Sequence, residues 1–99
     1  MGWHKPDEKE LAVKAELLKA LAHPVRLCIV KGLIDRGECN VGNMQGCLGL
    51  PQSTISQNLA KLRVSGIVTA RREGLEVFYS VEDPVIRRLV QVLFENEAE

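Results

Sequence analysis

The sequence predicts a mainly α-helical fold with one small β-hairpin. Apolar residues recur at helical spacing in five segments, and only residues 67–81 change to the alternation that is typical of strands. A length of 99 residues is that of one domain. We therefore expect a short flexible lead at residues 1–8, followed by a single domain at residues 9–99.

A proline separates the first two predicted helices. Residues 9–22 are rich in Ala, Glu, Lys and Leu, and their leucines form a broad apolar face. Pro24 ends this segment and suits the first turn of the next helix, where a backbone N–H has no partner to lose. The second helix is expected to extend to about Asp35, and Gly37 closes it.

The third and fourth helices have the spacing of a helix-turn-helix motif. Residues 41–48 predict a short helix, which its two glycines weaken by about 1 kcal/mol each. Gly49 ends that helix, and Pro51 leads into a polar helix that ends at Gly66. Asn58 is expected to be structural, because it lies beside the apolar stripe of this helix. The stripe consists of Ile55, Leu59 and Leu62.

The outer face of the fourth helix carries hydroxyl and amide side chains and no acid. Such side chains are suited to base edges in the major groove of DNA. The expected base-edge or near-base contacts are Ser53, Thr54, Ser56 and Gln57. Thr54 and Ser56 suit phosphate contacts or local capping equally well. Gln52, at the start of the helix, is expected to contact a phosphate through its side chain or backbone N–H.

The segment after the polar helix predicts a hairpin with a basic tip. Residues 67–72 are β-prone, Glu73-Gly74 predicts a turn, and residues 75–81 alternate. One side of the second strand is expected to carry Leu75, Val77, Tyr79 and Val81. A basic hairpin directly after a recognition helix is a wing, so the sequence predicts a winged helix-turn-helix.

The positive charge of the chain is concentrated in this region. The net charge is 0, but residues 52–74 hold four cations and one acid, Glu73, a balance of +3. The cations are Lys61, Arg63, Arg71 and Arg72. Lys61, Arg71 and Arg72 are expected to contact phosphates or the minor groove. Arg63 is assigned either a phosphate contact or a structural salt bridge.

The first and last helices predict a homodimer. Asp83-Pro84 starts the last helix, which is expected to extend to about Asn96. The two helices carry more apolar surface than a small domain can cover, and a two-fold interface would bury it. The residues expected there are Leu11, Leu18, Ile86, Leu89, Val90, Leu93 and Phe94. Such a dimer places two recognition helices one DNA turn apart, about 34 Å.

Four strings in this order resemble the ArsR/SmtB family of winged helix-turn-helix repressors. They are LAHPVRL at residues 21–27, GLPQSTISQNL at 49–59, LRVSGIV at 62–68 and GLEVFYSV at 74–81. The resemblance covers residues 10–95. It implies a homodimer that binds double-stranded DNA at an inverted repeat and leaves it when an inducer binds. It also implies a structural role for His23. Pro51 departs from the family pattern, in which Ser often caps this helix.

The sequence lacks the residues of both usual metal sites of the family. The family's cysteine metal site falls at residues 38–43, where Asn40 and Gly42 replace the thiolates, and the last helix has no His for the family's other site. We therefore predict no standard metal site. The candidate sensor thiols are Cys28, Cys39 and Cys47, with Cys39 expected in a turn before the third helix. The alternative for each is a residue that fills a small apolar space, and the resemblance favours that role at Cys47, where family members usually carry a small apolar residue.

Three alternatives stay open for the control of DNA binding. A thiol, redox or persulfide signal releases the repressor in the first hypothesis. In the second hypothesis, a metal that binds a non-standard cysteine site releases the repressor. In the third hypothesis, the protein is a constitutive repressor without an inducer. A winged-helix module that binds protein instead of DNA is the alternative outside this class. The uncharged recognition face and the basic wing argue against that last reading.

Other classes of protein are disfavoured by what the sequence lacks. It has no Ser-His-Asp arrangement, no paired carboxylates and no phosphate-binding glycine loop, so we predict neither an enzyme nor a cofactor. Three cysteines, an odd number, argue against a closed disulfide framework. No secretory signal and no apolar run of about 18 residues is present, so we expect a cytoplasmic protein without a membrane partner.

Overall fold

The computed structural model describes residues 2–95. Within them lie five helices and three strands, which confirms the predicted mainly α fold. They are α1 (Glu8–Leu21), α2 (Pro24–Arg36), β1 (Glu38–Cys39), α3 (Val41–Leu48), α4 (Gln52–Val64), β2 (Thr69–Glu73), β3 (Glu76–Ser80) and α5 (Pro84–Leu93). The predicted end of the last helix, Asn96, lies outside the described residues. No helix within residues 2–95 is long and apolar enough to cross a membrane.

The short strand β1 is absent from the sequence-based prediction. The sheet is antiparallel with strand order β1-β3-β2, and Cys39 pairs with Tyr79. The expectation that Cys39 lies in a turn is therefore wrong. A two-residue strand is too short to show a period, and it forms only because β3 lies beside it.

The hairpin turn lies one residue later than predicted. Glu73 pairs with Glu76, so the loop consists of Gly74 and Leu75. Gly74 has a φ of 62°, and a glycine at the first position of a two-residue loop matches the twist of a hairpin. Leu75 lies fully exposed in this loop, so its predicted place in the second strand is wrong.

The core lies between the helices and the sheet. The predicted stripe of α4 is buried, and its three residues are at most 1% exposed. From α5, Ile86 and Val90 are completely buried, and this helix packs against α2. Their predicted place on a dimer surface is therefore wrong, because the chain's own core covers them. The large apolar residues that α1 and α5 do expose are Leu11, Val13, Leu18, Val85, Val92 and Leu93.

Candidate nucleic-acid interface

Local capping sets the helix-turn-helix geometry. Asn40 caps α3, and its Oδ1 accepts a hydrogen bond from the backbone N–H of Asn43 at 2.8 Å. Gly49 ends α3 with a φ of 67°, a left-handed conformation that glycine adopts without strain. The chain then turns through Pro51 into α4, and α3 packs against α4.

The outer face of α4 is available to an external partner. The predicted contact residues Gln52, Ser53, Ser56, Gln57 and Lys61 are exposed, and Thr54 is half-buried. Within residues 2–95 their side chains make no hydrogen bond or ion pair. The structure thus brings all six side chains onto one helix without engaging them in the fold.

The first turn of α4 has no side-chain cap. Pro51 occupies the N-cap position and offers no side-chain acceptor. The backbone N–H groups of the first turn are therefore left for water or an anion, at the positive end of the helix dipole. This is the arrangement in which a helix start binds a phosphate.

The inner edge of α4 is structural, as predicted for Asn58. This side chain is 9% exposed, and its Nδ2 donates to the carbonyl oxygen of Thr54 at 2.8 Å. Its Oδ1 accepts from Nη1 of Arg26 at 3.4 Å, while Nε of Arg26 donates to the carbonyl oxygen of Ala20. Arg26 therefore joins α1 to α4. Sequence reasoning missed this role, because both partners are supplied by other helices.

His23 has the structural role that the family resemblance implied. It is the N-cap of α2, and its Nδ1 accepts a hydrogen bond from the backbone N–H of Val25 at 3.2 Å. The interaction satisfies one of the free N–H groups at the helix start. His23 is therefore accounted for by the fold.

The two wing arginines differ in their surroundings. Arg72 is exposed and makes no ion pair with any described residue. Arg71 instead donates from Nη2 and Nε to Glu38 at 2.8 and 3.0 Å, and from Nη1 to Glu73. These carboxylates raise the pKa of Arg71, with Glu38 the stronger influence. The charge of Arg71 is therefore offset within the wing, whereas that of Arg72 is not.

Two further features describe the charges around the wing and α4. Nδ2 of Asn40 donates to Glu76 at 3.0 Å, which ties the start of α3 to the wing. Arg63 is exposed, and in the described part of the chain no acid pairs with it. The structural salt bridge weighed for Arg63 is thus not formed in residues 2–95, and its charge faces solvent together with that of Lys61.

The three cysteines lie around one cavity of about 220 Å³. Cys28 and Cys47 are exposed, Cys39 is buried, and all three are free thiols. Among the described residues, no group of three His, Cys, Asp or Glu side chains is arranged to hold a metal ion. The fold therefore brings together three thiols that are scattered in the sequence.

Comparisons with known proteins agree with this geometry. Residues 21–71 match a family model described as a helix-turn-helix domain. The transcriptional repressor PagR of Bacillus anthracis is 41% identical over 90 residues, which are 91% of this chain and 90% of PagR. The crystal structure of PagR matches with a TM-score of 0.82 and 40% identity, covering 88% of this chain and 99% of that one.

Two further relatives connect the chain to a named family. The HTH-type transcriptional repressor SmtB of Mycobacterium tuberculosis is 39% identical over 85 residues, 86% of this chain and 62% of SmtB. A solution structure from Mycobacterium bovis is a homodimeric winged helix-turn-helix DNA-binding domain of a possible ArsR-family regulator. It matches with a TM-score of 0.81 and 32% identity, covering 99% of this chain and 92% of that one. The chain belongs to the ArsR/SmtB family of winged helix-turn-helix transcriptional regulators, as its four strings predicted.

Proposed function

We propose that the protein is a sequence-specific repressor that binds an inverted-repeat DNA operator as a homodimer. The observation that carries this proposal is the exposed, acid-free polar face of α4, whose side chains are unused by the fold. Repression is supported by the relatives PagR and SmtB, both of which are named transcriptional repressors.

The proposed contacts divide into base readers and phosphate binders. The base readers, near the start of α4, are Ser53, Thr54, Ser56 and Gln57. Gln57 is the side chain best suited to specificity, because an amide can bond an adenine edge through two hydrogen bonds. Phosphate contacts are assigned to Gln52 with the uncapped first turn, and to Lys61, Arg63 and Arg72. Arg71 reaches a phosphate only if Glu38 and Glu73 release it.

The proposed dimer forms through α1 and α5. Six large apolar side chains on these helices are between 45% and 67% exposed, which is unfavourable for an isolated domain. A two-fold interface buries the same patch on both protomers. The Mycobacterium bovis neighbour, which matches over nearly the whole chain, is homodimeric.

Selection from a random duplex library tests the DNA-binding proposal. The enriched sequences should contain two inverted half-sites whose centres lie about 10 base pairs apart. By fluorescence anisotropy, Gln57→Ala should reduce discrimination against single-base changes by about tenfold or more. Glu82→Ala, an exposed residue between the wing and α5, is the control and should leave discrimination unchanged. Absence of both enrichment and measurable affinity at low salt would refute the proposal.

Sedimentation analysis tests the dimer. Val92→Glu places a charge in the proposed interface and should yield monomers that bind the inverted repeat weakly. Leu75→Glu, at the fully exposed tip of the wing, should remain a dimer. A monomeric wild-type protein, or a Val92→Glu variant that stays dimeric, would contradict the assignment to α1 and α5.

Control of DNA binding is proposed to act through the cysteines. Cys28, Cys39 and Cys47 line one cavity next to α3, the first helix of the helix-turn-helix. A chemical change at these thiols therefore occurs beside the element that positions α4. This placement favours thiol chemistry over constitutive binding.

A further inference from the structure

The thiol cavity is built by three elements that are separate in the sequence. Cys28 is on α2, Cys39 on β1 and Cys47 on α3, and none of the cavity's lining residues is a proposed DNA contact. Its volume of about 220 Å³ is below the range of about 300–1,000 Å³ that is usual for ligand sites. The cavity therefore suits a very small molecule.

The cavity walls are largely apolar, and they also carry two exposed thiols and two cations. Apolar walls are supplied by Ile29, Leu33, Met44 and Leu48. Cys39 is only 6% exposed, so it forms part of the wall, whereas Cys47 is open to solvent. The two cations are Lys31, which pairs with Asp35 at 2.6 Å, and Arg36.

Among residues 2–95, no carboxylate pairs with Arg36. Its side chain is exposed. The pKa of Arg36 is raised chiefly by Cys47 and, less, by Cys39. A guanidinium binds carboxylates through two parallel hydrogen bonds. Arg36 can thus attract an anionic ligand to the cavity that Cys47 also lines.

We propose that this cavity takes a small disulfide bearing a carboxylate, and that Cys47 acquires one half of it as a mixed disulfide. The thiolate sulfur of Cys47 attacks one sulfur of the ligand and forms a new S–S bond. The ligand's own S–S bond breaks, and its second half leaves as a thiolate, which takes a proton from water. The sulfur of Cys47 is oxidised while the leaving sulfur is reduced, so no other oxidant is required.

The adduct would affect both parts of the proposed DNA-binding surface. Cys47 is in the last turn of α3, which leads through Gly49 into α4. Cys39, which also lines the cavity, is adjacent to Glu38, which holds Arg71 of the wing. A group that fills the cavity separates α3 from β1, so we expect operator affinity to fall by tenfold or more. This consequence alone rests on the proposed function.

The reaction is tested without DNA, using two probes of similar length and opposite charge. The full-length protein is treated with 3,3′-dithiodipropionate or with cystamine at equal ionic strength, and the adduct is followed by intact mass and located by peptide mapping. We expect modification at Cys47, at least tenfold faster with the anionic probe. Cys47→Ser should abolish this fast adduct, and Cys28→Ser should retain it.

Two variants separate the effect of the Arg36 charge on the reaction rate from the effect of the protein's net charge. Arg36→Gln should remove the preference for the anionic probe, whereas Lys9→Gln, with the same change in net charge at the start of α1, should preserve it. Modification mainly at Cys28, or a preference that survives in Arg36→Gln, would overturn the assignment.

The consequence for DNA binding is measured separately by anisotropy. Unmodified protein that fails to bind any duplex would refute the proposed function and leave the measured reaction at Cys47 intact. Unmodified and modified proteins that bind the selected duplex equally well would instead refute the coupling between the cavity and the DNA-binding surface.

Discussion

Glu38 holds Arg71 through two hydrogen bonds, from Nη2 at 2.8 Å and from Nε at 3.0 Å. Glu38 is on β1 and Arg71 on β2, and β3 lies between these strands, so the pair spans the whole sheet. Both side chains are substantially exposed, so the pair contributes little to stability. Its main effect is to fix the guanidinium and to offset its charge beside the proposed DNA surface.

Removal of both Glu38 and Glu73 should strengthen DNA binding. In the double variant Glu38→Gln/Glu73→Gln, Arg71 loses both of its carboxylate partners and can turn towards a phosphate. We expect tighter binding at low salt and a dependence of log K on log salt that is steeper by about one unit. Salt titrations by anisotropy measure both quantities. The same gain in an Arg71→Gln background would show that the effect does not pass through Arg71.

The carboxyl group of Glu38 should titrate below its ordinary range. Hydrogen bonding by Arg71 lowers the pKa of Glu38 from its usual value of 4.5. Because the folded-state pKa is the lower one, the stabilisation is present above about pH 4.5 and is lost as pH falls through the folded-state value. The difference in unfolding free energy between wild type and Glu38→Gln should therefore shrink in acid.

NMR titration provides the direct check on this pair. The side-chain carboxyl of Glu38 should show its lowered pKa in the wild type and return towards the ordinary value in Arg71→Gln. An equally low pKa in Arg71→Gln would assign the shift to another cause.

Arg72 should contribute to DNA affinity without contributing to sequence preference. Its side chain is exposed and unpaired within the described residues, so it is free to neutralise a phosphate. Arg72→Ala is expected to weaken binding on all duplexes and to reduce the salt slope by about one. Gln57→Ala is the contrast, because it should change base preference and leave the salt slope intact. An unchanged slope in Arg72→Ala would remove this residue from the interface.

The cap of α2 should contribute measurably to stability. His23→Ala removes the acceptor for the backbone N–H of Val25, and we expect a loss of about 1 kcal/mol in urea unfolding. Asn is among the best N-cap residues, so His23→Asn should retain most of the stability. Equal losses in the two variants would show that the ring acts by packing and not as a cap.

The polar link between α1, α2 and α4 should also be detectable. Asn58→Ala leaves the Thr54 carbonyl and the Arg26 guanidinium without this partner, at an expected cost of about 1–3 kcal/mol. Gln57→Ala, at the adjacent exposed position, should change stability by no more than about 0.5 kcal/mol. A loss in Asn58→Ala no larger than that in Gln57→Ala would contradict the structural role of Asn58.

The helices and the recognition face could be predicted from the sequence because their signals are local. The burial of Ile55, Leu59 and Leu62 follows from their spacing on one helix. Gly49 and the Asp83-Pro84 pair act on the chain immediately beside them, and Asp83 does cap α5. The family strings lie on these same elements, so local structure and family membership were indicated together.

The tertiary structure alone decided which distant residues meet. Strand β1 exists because β3 pairs with it, and Arg71 is offset because that pairing brings Glu38 within reach. Ile86 is buried in the chain's own core because α5 packs on α2, although its helical spacing equally suited an interface. The three cysteines share a cavity because the fold brings α2, β1 and α3 together. The sequence by itself determined the helices, the polar face of α4 and the family, whereas charge pairing, burial on α5 and the thiol cavity depend on contacts between separate segments.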